Sequence, residues 1–520
     1  MSGRISDVLL SNLNEFISEQ MGLNFPKDRK RELAKKIESV SREFGFEDAE
    51  SCITWLMSST LTKEQVEILA RHLTVGETYF YRDKKSFELM EEHILPELIR
   101  SYQKKQKRLR IWSAACSTGE EPYTIAIILS RLILDWRDWN ITILATDINP
   151  KVLKKASEGV YTRWSFRDTP SWLKDGYFRS TKEGHFKILP HIKEMVTFSY
   201  LNLVEDTYPS LTTNTNAMDM ILCRNVFIYF TPERVRKIVQ RFHHCLVERG
   251  SLFVSATETS LASHPRFVMV NGSGTTYFKK EGKRAGKKSL KREESFSSRD
   301  VLTYPSPDKK FVSITPPSQP VSEPEIKVEV PQVIPQKSGE KPHTKESKKQ
   351  PYEKAVMLYQ QGRYGESAEI LVELLSKNKR DTSVFPYGAG ISFLIRSYAN
   401  QGKLGEASTW CEKAIGVDKV NPGHHYLCST ILQEQGRIED AIVSLKRALF
   451  LDPDFVLAYY SLGNIMLALG RLEESRKPFE NALEILSTLP REKEIQESEG
   501  ITAGRLMEII TSMVNMEILA

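Results

Sequence analysis

Arg110-Ile-Trp-Ser-Ala-Ala-Cys-Ser-Thr-Gly-Glu-Glu-Pro-Tyr-Thr124 reads as an apolar strand, a turn of small residues and the first turn of a helix. Further along, Met218-Asp-Met-Ile-Leu-Cys-Arg-Asn-Val-Phe-Ile-Tyr-Phe230 reads as a second buried strand, ending in a cation and an amide. Working outward, strand patterns at residues 109–115, 141–146, 219–223 and 251–256 alternate with helical stretches such as 122–134 and 232–247. That alternation predicts an α/β unit, a mainly parallel sheet with helices on both faces. In such a sheet ligands sit beyond the C-terminal strand ends, where both quoted stretches terminate.

The chain has 520 residues, more than one hydrophobic core usually holds. Residues 1–80 place apolar side chains at helical spacing (Ile5, Val8, Leu9, Leu13, Phe16, Ile17) and predict a helical bundle, followed by the α/β domain over 81–280. Nine of the 24 prolines fall between 281 and 350 among many Lys, Ser and Glu, which predicts a disordered linker. Beyond it, Gly402-Lys-Leu-Gly-Glu-Ala407, Gly436-Arg-Ile-Glu-Asp-Ala441 and Gly470-Arg-Leu-Glu-Glu-Ser475 recur at a 34-residue step. Period and column chemistry resemble tetratricopeptide repeats over 351–490, with an irregular first unit at Gly362 and a capping helix over 491–520. Stacked helical pairs offer a concave surface for a protein or peptide partner, and a flexible linker favours tethering over a fixed contact between domains.

Charge sharpens the expectations. The net +6 excess is mild, but residues 27–42 hold seven basic against three acidic side chains, including Arg29, Arg31, Lys35 and Lys36. A helix of that kind could dock an acidic surface, or be an ordinary solvated face. The six cysteines contain no Cys-x-x-Cys pair, so no structural zinc or disulfide framework is expected. The N-terminal residues lack a signal-peptide core and no long apolar run occurs, so a cytoplasmic protein without membrane insertion is expected.

Several residues at the strand ends could carry chemistry. The Cys116-Ser117-Thr118-Gly119 turn lets backbone approach a ligand closely. Glu120 and Glu121 follow at the helix start, where they would bind a cation or simply complement the helix dipole. Asp147 closes the strand at 141–146, where an acidic residue accepts ribose hydroxyls or caps the helix starting near Pro150. Arg224 and Asn225 suggest a site, with a salt-bridged strand end as the plain alternative.

These motifs, in this order, resemble the Rossmann-like S-adenosylmethionine-dependent methyltransferases of the CheR type, which act on chemotaxis receptors. The signature Cys-Arg-Asn-x-x-Ile-Tyr-Phe stands at 223–230, and the segment Thr-x-x-Glu-Thr-x-Phe-x-Arg is matched by Thr74-Val-Gly-Glu-Thr-Tyr-Phe-Tyr-Arg82, with Gly76 where many members have Asn. The likeness spans roughly residues 1 to 280, just over half the chain. It implies an N-terminal helical receptor-docking domain (1–80) and a methyltransferase domain (81–280) with a small β-subdomain near 159–200. It further implies cofactor contacts from Gly76, Thr78, Arg82, Gly119, Glu120, Glu121, Asp147, Asn202, Leu203, Arg224 and Asn225, with Glu121 meeting the ammonium and Asn202-Leu203 flanking the adenine. Arg82 and Tyr229 become the catalytic pair, and Arg29, Arg31, Lys35 and Lys36 the docking cations. The implied reaction moves a methyl group to a glutamate carboxylate of a coiled-coil chemoreceptor, leaves S-adenosylhomocysteine and requires no metal. Partners implied are that receptor, at whose arrays the protein would be recruited, and a signalling protein on the repeats. Two other readings stay open: a regulatory scaffold whose domain only senses S-adenosylmethionine or its product, and a nucleic-acid or small-molecule methyltransferase. The second loses ground because the cleft lacks an Asn/Asp-Pro-Pro-aromatic motif.

Overall fold

The computed structural model describes residues 5–59, 61–103, 107–204, 208–282, 349–377 and 387–518. The expected linker at 281–350 lies almost wholly outside the described residues. Four helices come first: α1 (Asp7–Met21), α2 (Lys30–Glu43), α3 (Ala49–Leu56) and α4 (Lys63–Leu73). Three of these starts, those of α1, α3 and α4, are set by side-chain caps at Ser6, Asp48 and Thr62, the last in a capping box with Gln65. Leu13, Ile17, Leu33, Ile37, Val40, Ile53 and Leu69 close a small core between them.

After α5 (Lys84–Leu89) and α6 (Leu95–Gln103) comes the α/β domain. Its strands are β1 (Arg108–Ala114), β2 (Asn140–Asp147), β3 (Val160–Tyr161), β4 (Phe178–Ser180), β5 (Phe186–Ile188), β6 (Val196–Tyr200), β7 (Met218–Leu222), β8 (Leu246–Phe253), β9 (Phe267–Gly272) and β10 (Thr275–Lys280). Seven of them form one sheet in the order β6-β2-β1-β7-β8-β10-β9, and β3, β5 and β4 form a separate small sheet. From β6 to β8 the neighbours are parallel, and β10 and β9 close the edge as an antiparallel hairpin. The helices are α7 (Glu120–Leu132), α8 (Pro150–Glu158), α9 (Ser171–Tyr177), α10 (Pro190–Lys193) and α11 (Pro232–Cys245). The expected Rossmann-like class is observed. Helix α7 begins two residues earlier than the sequence pattern suggests, because Pro122 is tolerated within a first helical turn, where its missing N–H has no partner to lose.

The C-terminal region is all helical: α12 (Lys349–Gln360), α13 (Tyr364–Lys377), α14 (Tyr387–Asn400), α15 (Leu404–Val417), α16 (Pro422–Glu434), α17 (Ile438–Leu451), α18 (Val456–Ala468), α19 (Leu472–Ser487) and α20 (Ala503–Ile518). The repeating glycines explain the period. Gly402, Gly436 and Gly470 follow the first helix of their pairs at φ of 71, 77 and 71°, a left-handed conformation that L side chains avoid. The capping helix is shorter than expected. Residues 491–502 form a non-helical turn bridged between Glu494 and Thr502, with left-handed backbone at Glu497, Glu499 and Gly500.

A second departure concerns the expectation of tethering. The repeats pack against the base of the sheet, at the N-terminal strand ends. Glu434, in the last turn of α16, has a side chain 5% exposed and lies 3.4 Å from Arg108 and 4.0 Å from Arg110. Its other oxygen accepts from Asn216 (2.8 Å), and its carbonyl accepts from Asn140. The turn glycines run along the same edge: a Cβ at Gly362 would meet the His244 ring at 2.3 Å, and one at Gly402 would meet Arg108 and Val247 at 3.5 Å. Helix α20 packs on β6 and α8, with Arg505 4.8 Å over the Tyr200 ring. Burial explains the difference, since ion pairs desolvated on both sides define one geometry, whereas a linker defines none.

Candidate active site

The turn after β1 carries left-handed backbone at Ala115, Ser117 and Gly119 (φ 61, 52 and 89°). It bends the chain so that the Ser117 N–H donates to Asp147 Oδ2 (2.9 Å) at the end of β2. Asp147 Oδ1 accepts the Asn149 N–H at 2.9 Å, which leaves each carboxylate oxygen further acceptor capacity. The alternative role of helix cap belongs instead to Asn149, whose side chain accepts from Lys151 N (3.0 Å) and donates to Thr74 Oγ1 (3.0 Å) beside α4. Burial pushes the Asp147 carboxyl up to about 6, against the three backbone N–H groups that favour its charge.

Opposite, Glu121 Oε1 accepts from Ser113 (2.8 Å) and Oε2 from Arg224 (3.1 Å). Arg224, its side chain 3% exposed, also donates to the carbonyl of Arg82 and lies 3.4 Å from Asp83. It therefore ties the end of β7 to the segment entering from the helical domain. Arg82 itself donates to Glu77 O (2.8 Å). Asn202 donates to Gln20 O (3.0 Å) in α1 and accepts from Val204 N (3.2 Å).

Tyr229 sits where the helical domain meets this edge. Its carbonyl accepts from Asn24 N (2.7 Å), Leu23 bridges to Phe230, and the Arg29 guanidinium lies 5.4 Å from its ring centre. Burial raises the Tyr229 hydroxyl pKa, opposed by the charges of Arg29 and Arg82.

One open cleft is lined by Gly76, Thr78, Arg82, Glu121, Asp147, Asn202, Leu203, Arg224, Asn225 and Tyr229. Residues far apart in sequence thus converge on one space. Two expected contacts stay outside its lining. Glu120 is buried on the other side of α7, accepting from Thr118 (2.6 Å) and Ser165 (3.0 Å). Gly119 packs tightly, a Cβ there meeting Ala156 at 2.9 Å and Tyr161 at 3.1 Å. Among the four cations expected to dock a receptor, Arg31 and Lys35 are exposed, whereas Arg29 pairs with Glu32 (2.8 and 3.0 Å) and Lys36 donates to Leu73 O (2.8 Å). Those two are turned inward, because Phe25 offers an aromatic face 5.3 Å from Arg29 and 5.6 Å from Lys36.

Sequence reading missed Glu258. It is fully buried, and its carboxylate accepts the N–H groups of Asn225 (2.7 Å), Val226 (2.6 Å) and Ser255 (3.1 Å), fixing the turn that presents Tyr229. The signal was present, since Ser255-x-x-Glu258 is a capping-box pattern.

A mainly parallel sheet with a small-residue turn after β1, an acidic residue ending β2 and a cleft at the C-terminal strand ends defines a Rossmann-like nucleotide-cofactor fold. The comparisons narrow the class. A model of the CheR methyltransferase S-adenosylmethionine-binding domain matches residues 76–309, and a tetratricopeptide-repeat model matches 430–470. The chemotaxis protein methyltransferase of Borreliella burgdorferi is 32% identical over 252 residues, 48% of this chain and 87% of that protein. Chemotaxis protein methyltransferase 1 of Pseudomonas aeruginosa is 36% identical over 208 residues, 39% of this chain and 73% of that protein. Among solved structures, MamA from Desulfovibrio magneticus covers 27% of this chain and 77% of its own, at 13% identity and a TM-score of 0.25. The chain belongs to the CheR chemotaxis methyltransferases and carries tetratricopeptide repeats. It is an S-adenosylmethionine-dependent methyltransferase of chemotaxis. Among the described residues no helix is long and apolar enough to cross a membrane.

Proposed function

We propose that the protein methylates glutamate side-chain carboxylates of chemoreceptors in the cytoplasm, adapting chemotaxis-type signalling, with residues 1–80 docking the receptor and the repeats docking a signalling partner. The observation that carries the receptor reading is the exposure of Arg31 and Lys35 on α2, the helix that follows Arg29, whose guanidinium lies 5.4 Å from the centre of the Tyr229 ring in the cleft.

S-adenosylmethionine fits the donor set, because the Asp147 carboxylate keeps acceptor capacity for a ribose diol and Glu121 sets an anion on the facing wall. Thr78, Asn202, Leu203 and Asn225 complete the holding residues. When bound, the cofactor supplies an electrophilic methyl group whose sulfonium carrier leaves as a neutral thioether. A glutamate side chain, with a reference pKa near 4.3, is already the nucleophile at neutral pH, so the protein's task is placement. Arg82 would hold the acceptor carboxylate by its guanidinium fork, and Tyr229 would shape the transfer pocket. Arg224 and Glu258 act through others, the first by fixing Glu121 and the Arg82 backbone, the second by fixing the Asn225–Tyr229 turn.

The state of Asp147 has a pH consequence. A diol donates to the ionised carboxylate, so affinity for the cofactor should fall as pH drops through about 6 and stay flat above neutrality. The stability effect runs the other way: a carboxyl raised above its unfolded value contributes stability that is present at acid pH and lost as pH rises through about 6. Calorimetric titration at about pH 5 and about pH 7.5 should show a drop of about tenfold at the lower pH. Equal affinities would remove Asp147 from cofactor binding.

The cations exposed on α2 and the one just before it separate in kinetics. Arg31→Glu/Lys35→Glu should raise the KM for receptor by about tenfold at low salt and leave kcat unchanged. Arg29→Ala, which removes a cation beside Tyr229, should lower kcat about three- to tenfold, a cation–π loss of about 0.7–1.4 kcal/mol. A reversal pair with unchanged KM would make α2 a solvated face and sink the docking reading.

A further inference from the structure

Stacked helical repeats bind ligands on their inner face, here lined by the first helix of each pair. Along α12, α14 and α16 that face is filled from within the chain. The turn before α20 folds on itself: Ser498 is fully buried, donates to Ile495 O (2.7 Å) and accepts from Ile501 N (2.9 Å). On either side, Glu497 and Glu499 hold left-handed backbone at φ 66 and 61°, strained for residues with a Cβ.

Both acids face one cation. Arg396 of α14, its side chain 9% exposed, donates to Glu497 O (3.0 Å) and to the Glu497 carboxylate, and its Nε lies 3.8 Å from Glu499. Tyr359 of α12 donates to Glu499 Oε1 (2.6 Å) and is held in turn by Asn400 (3.2 Å). A Cβ at Gly423 of α16 would meet Glu497 at 3.2 Å. The remaining Glu499 oxygen accepts the N–H of Leu211 (2.9 Å), in the loop that leads into β7. A connection between two helices needs neither carboxylate, and a surface turn would leave both in water. Strain at two acids that converge on one buried guanidinium is instead the pattern of a ligand in its site.

We propose that the inner face of the first three repeats is a binding site for an acidic peptide segment with two carboxylates two residues apart. The chain's own Glu497-Ser498-Glu499 occupies that site, and a partner enters by displacing it. The proposal rests on the reading of the repeats as a partner-docking module and deepens it; it does not depend on methyl transfer. Because Glu499 also holds Leu211, displacement releases the loop ahead of β7.

The test uses a fluorescent peptide copied from residues 494–502 (Glu-Ile-Gln-Glu-Ser-Glu-Gly-Ile-Thr) and full-length protein, read by anisotropy. Glu497→Gln/Glu499→Gln should bind it at least tenfold more tightly than the wild type, and adding Arg396→Gln should abolish that gain. Equal binding by the wild type and the double variant, or tight binding that survives Arg396→Gln, overturns the assignment. Should the double variant fail to fold, hydrogen exchange on the wild type with excess peptide decides. Faster exchange at 208–217 and 494–502 supports displacement, and unchanged exchange overturns it. Full methyl transfer by a wild-type chain that fails these tests would leave the enzyme reading standing.

Discussion

Arg82→Ala is expected to lower kcat/KM for receptor methylation by at least about a hundredfold while S-adenosylmethionine binds almost as before. Two charge-assisted hydrogen bonds from one guanidinium to a carboxylate, at about 1.5 kcal/mol each at the low end, total about 3 kcal/mol. At 1.36 kcal/mol per decade that is about two decades of rate. The substitution gives up the side chain's own bond to Glu77 O, but Arg224 still grips the backbone carbonyl of Arg82. The turn should therefore survive truncation. Arg82→Lys keeps the charge and loses the fork, so it should recover only part of the rate. Calorimetry for the cofactor and single-turnover kinetics for the methyl group separate the two effects. Unchanged turnover in Arg82→Ala would take this residue out of the mechanism.

Glu434→Ala should destabilise the protein by about 3–5 kcal/mol, the cost of leaving a buried charge without its partner. At the base of the sheet Arg108 and Arg110 are balanced by Asp219 and Glu434, all of them buried. Asp219 is committed to Arg110 N (2.8 Å) and the Tyr102 hydroxyl (2.6 Å), so it cannot neutralise both arginines. Burial already depresses the Arg110 guanidinium to about 10, against the pull of Glu434. Glu434→Gln keeps the bond from Asn216 and should fall between the two. Denaturant unfolding measures the change. If the repeats were merely tethered, neither substitution would move the midpoint.

What the sequence disclosed follows from the range of each interaction. The strand, small-residue turn and helix at 108–132 are local, and so are the glycines that recur every 34 residues; both were legible because periodicity and turn chemistry act within a few residues. The edge set Arg82, Glu121, Asp147 and Tyr229 was legible through its resemblance to a known family. Glu434 was not, since a glutamate near a helix end reads as solvated until a second domain covers it. Glu497 and Glu499 read as part of a capping helix for the same reason, because Arg396, the buried cation they face, lies about a hundred residues earlier. Arg29 and Lys36 looked like docking cations because the aromatic face of Phe25 that draws them inward is assembled only by folding.

The central claim is methyl transfer to a receptor carboxylate. Full-length protein would be incubated with methyl-labelled S-adenosylmethionine and chemoreceptor-containing membranes, and the receptor band treated with base. Label released as volatile methanol, dependent on Arg82, is the result this account predicts. Cofactor binding without transfer to any of a range of receptors, or label that resists base, would contradict it.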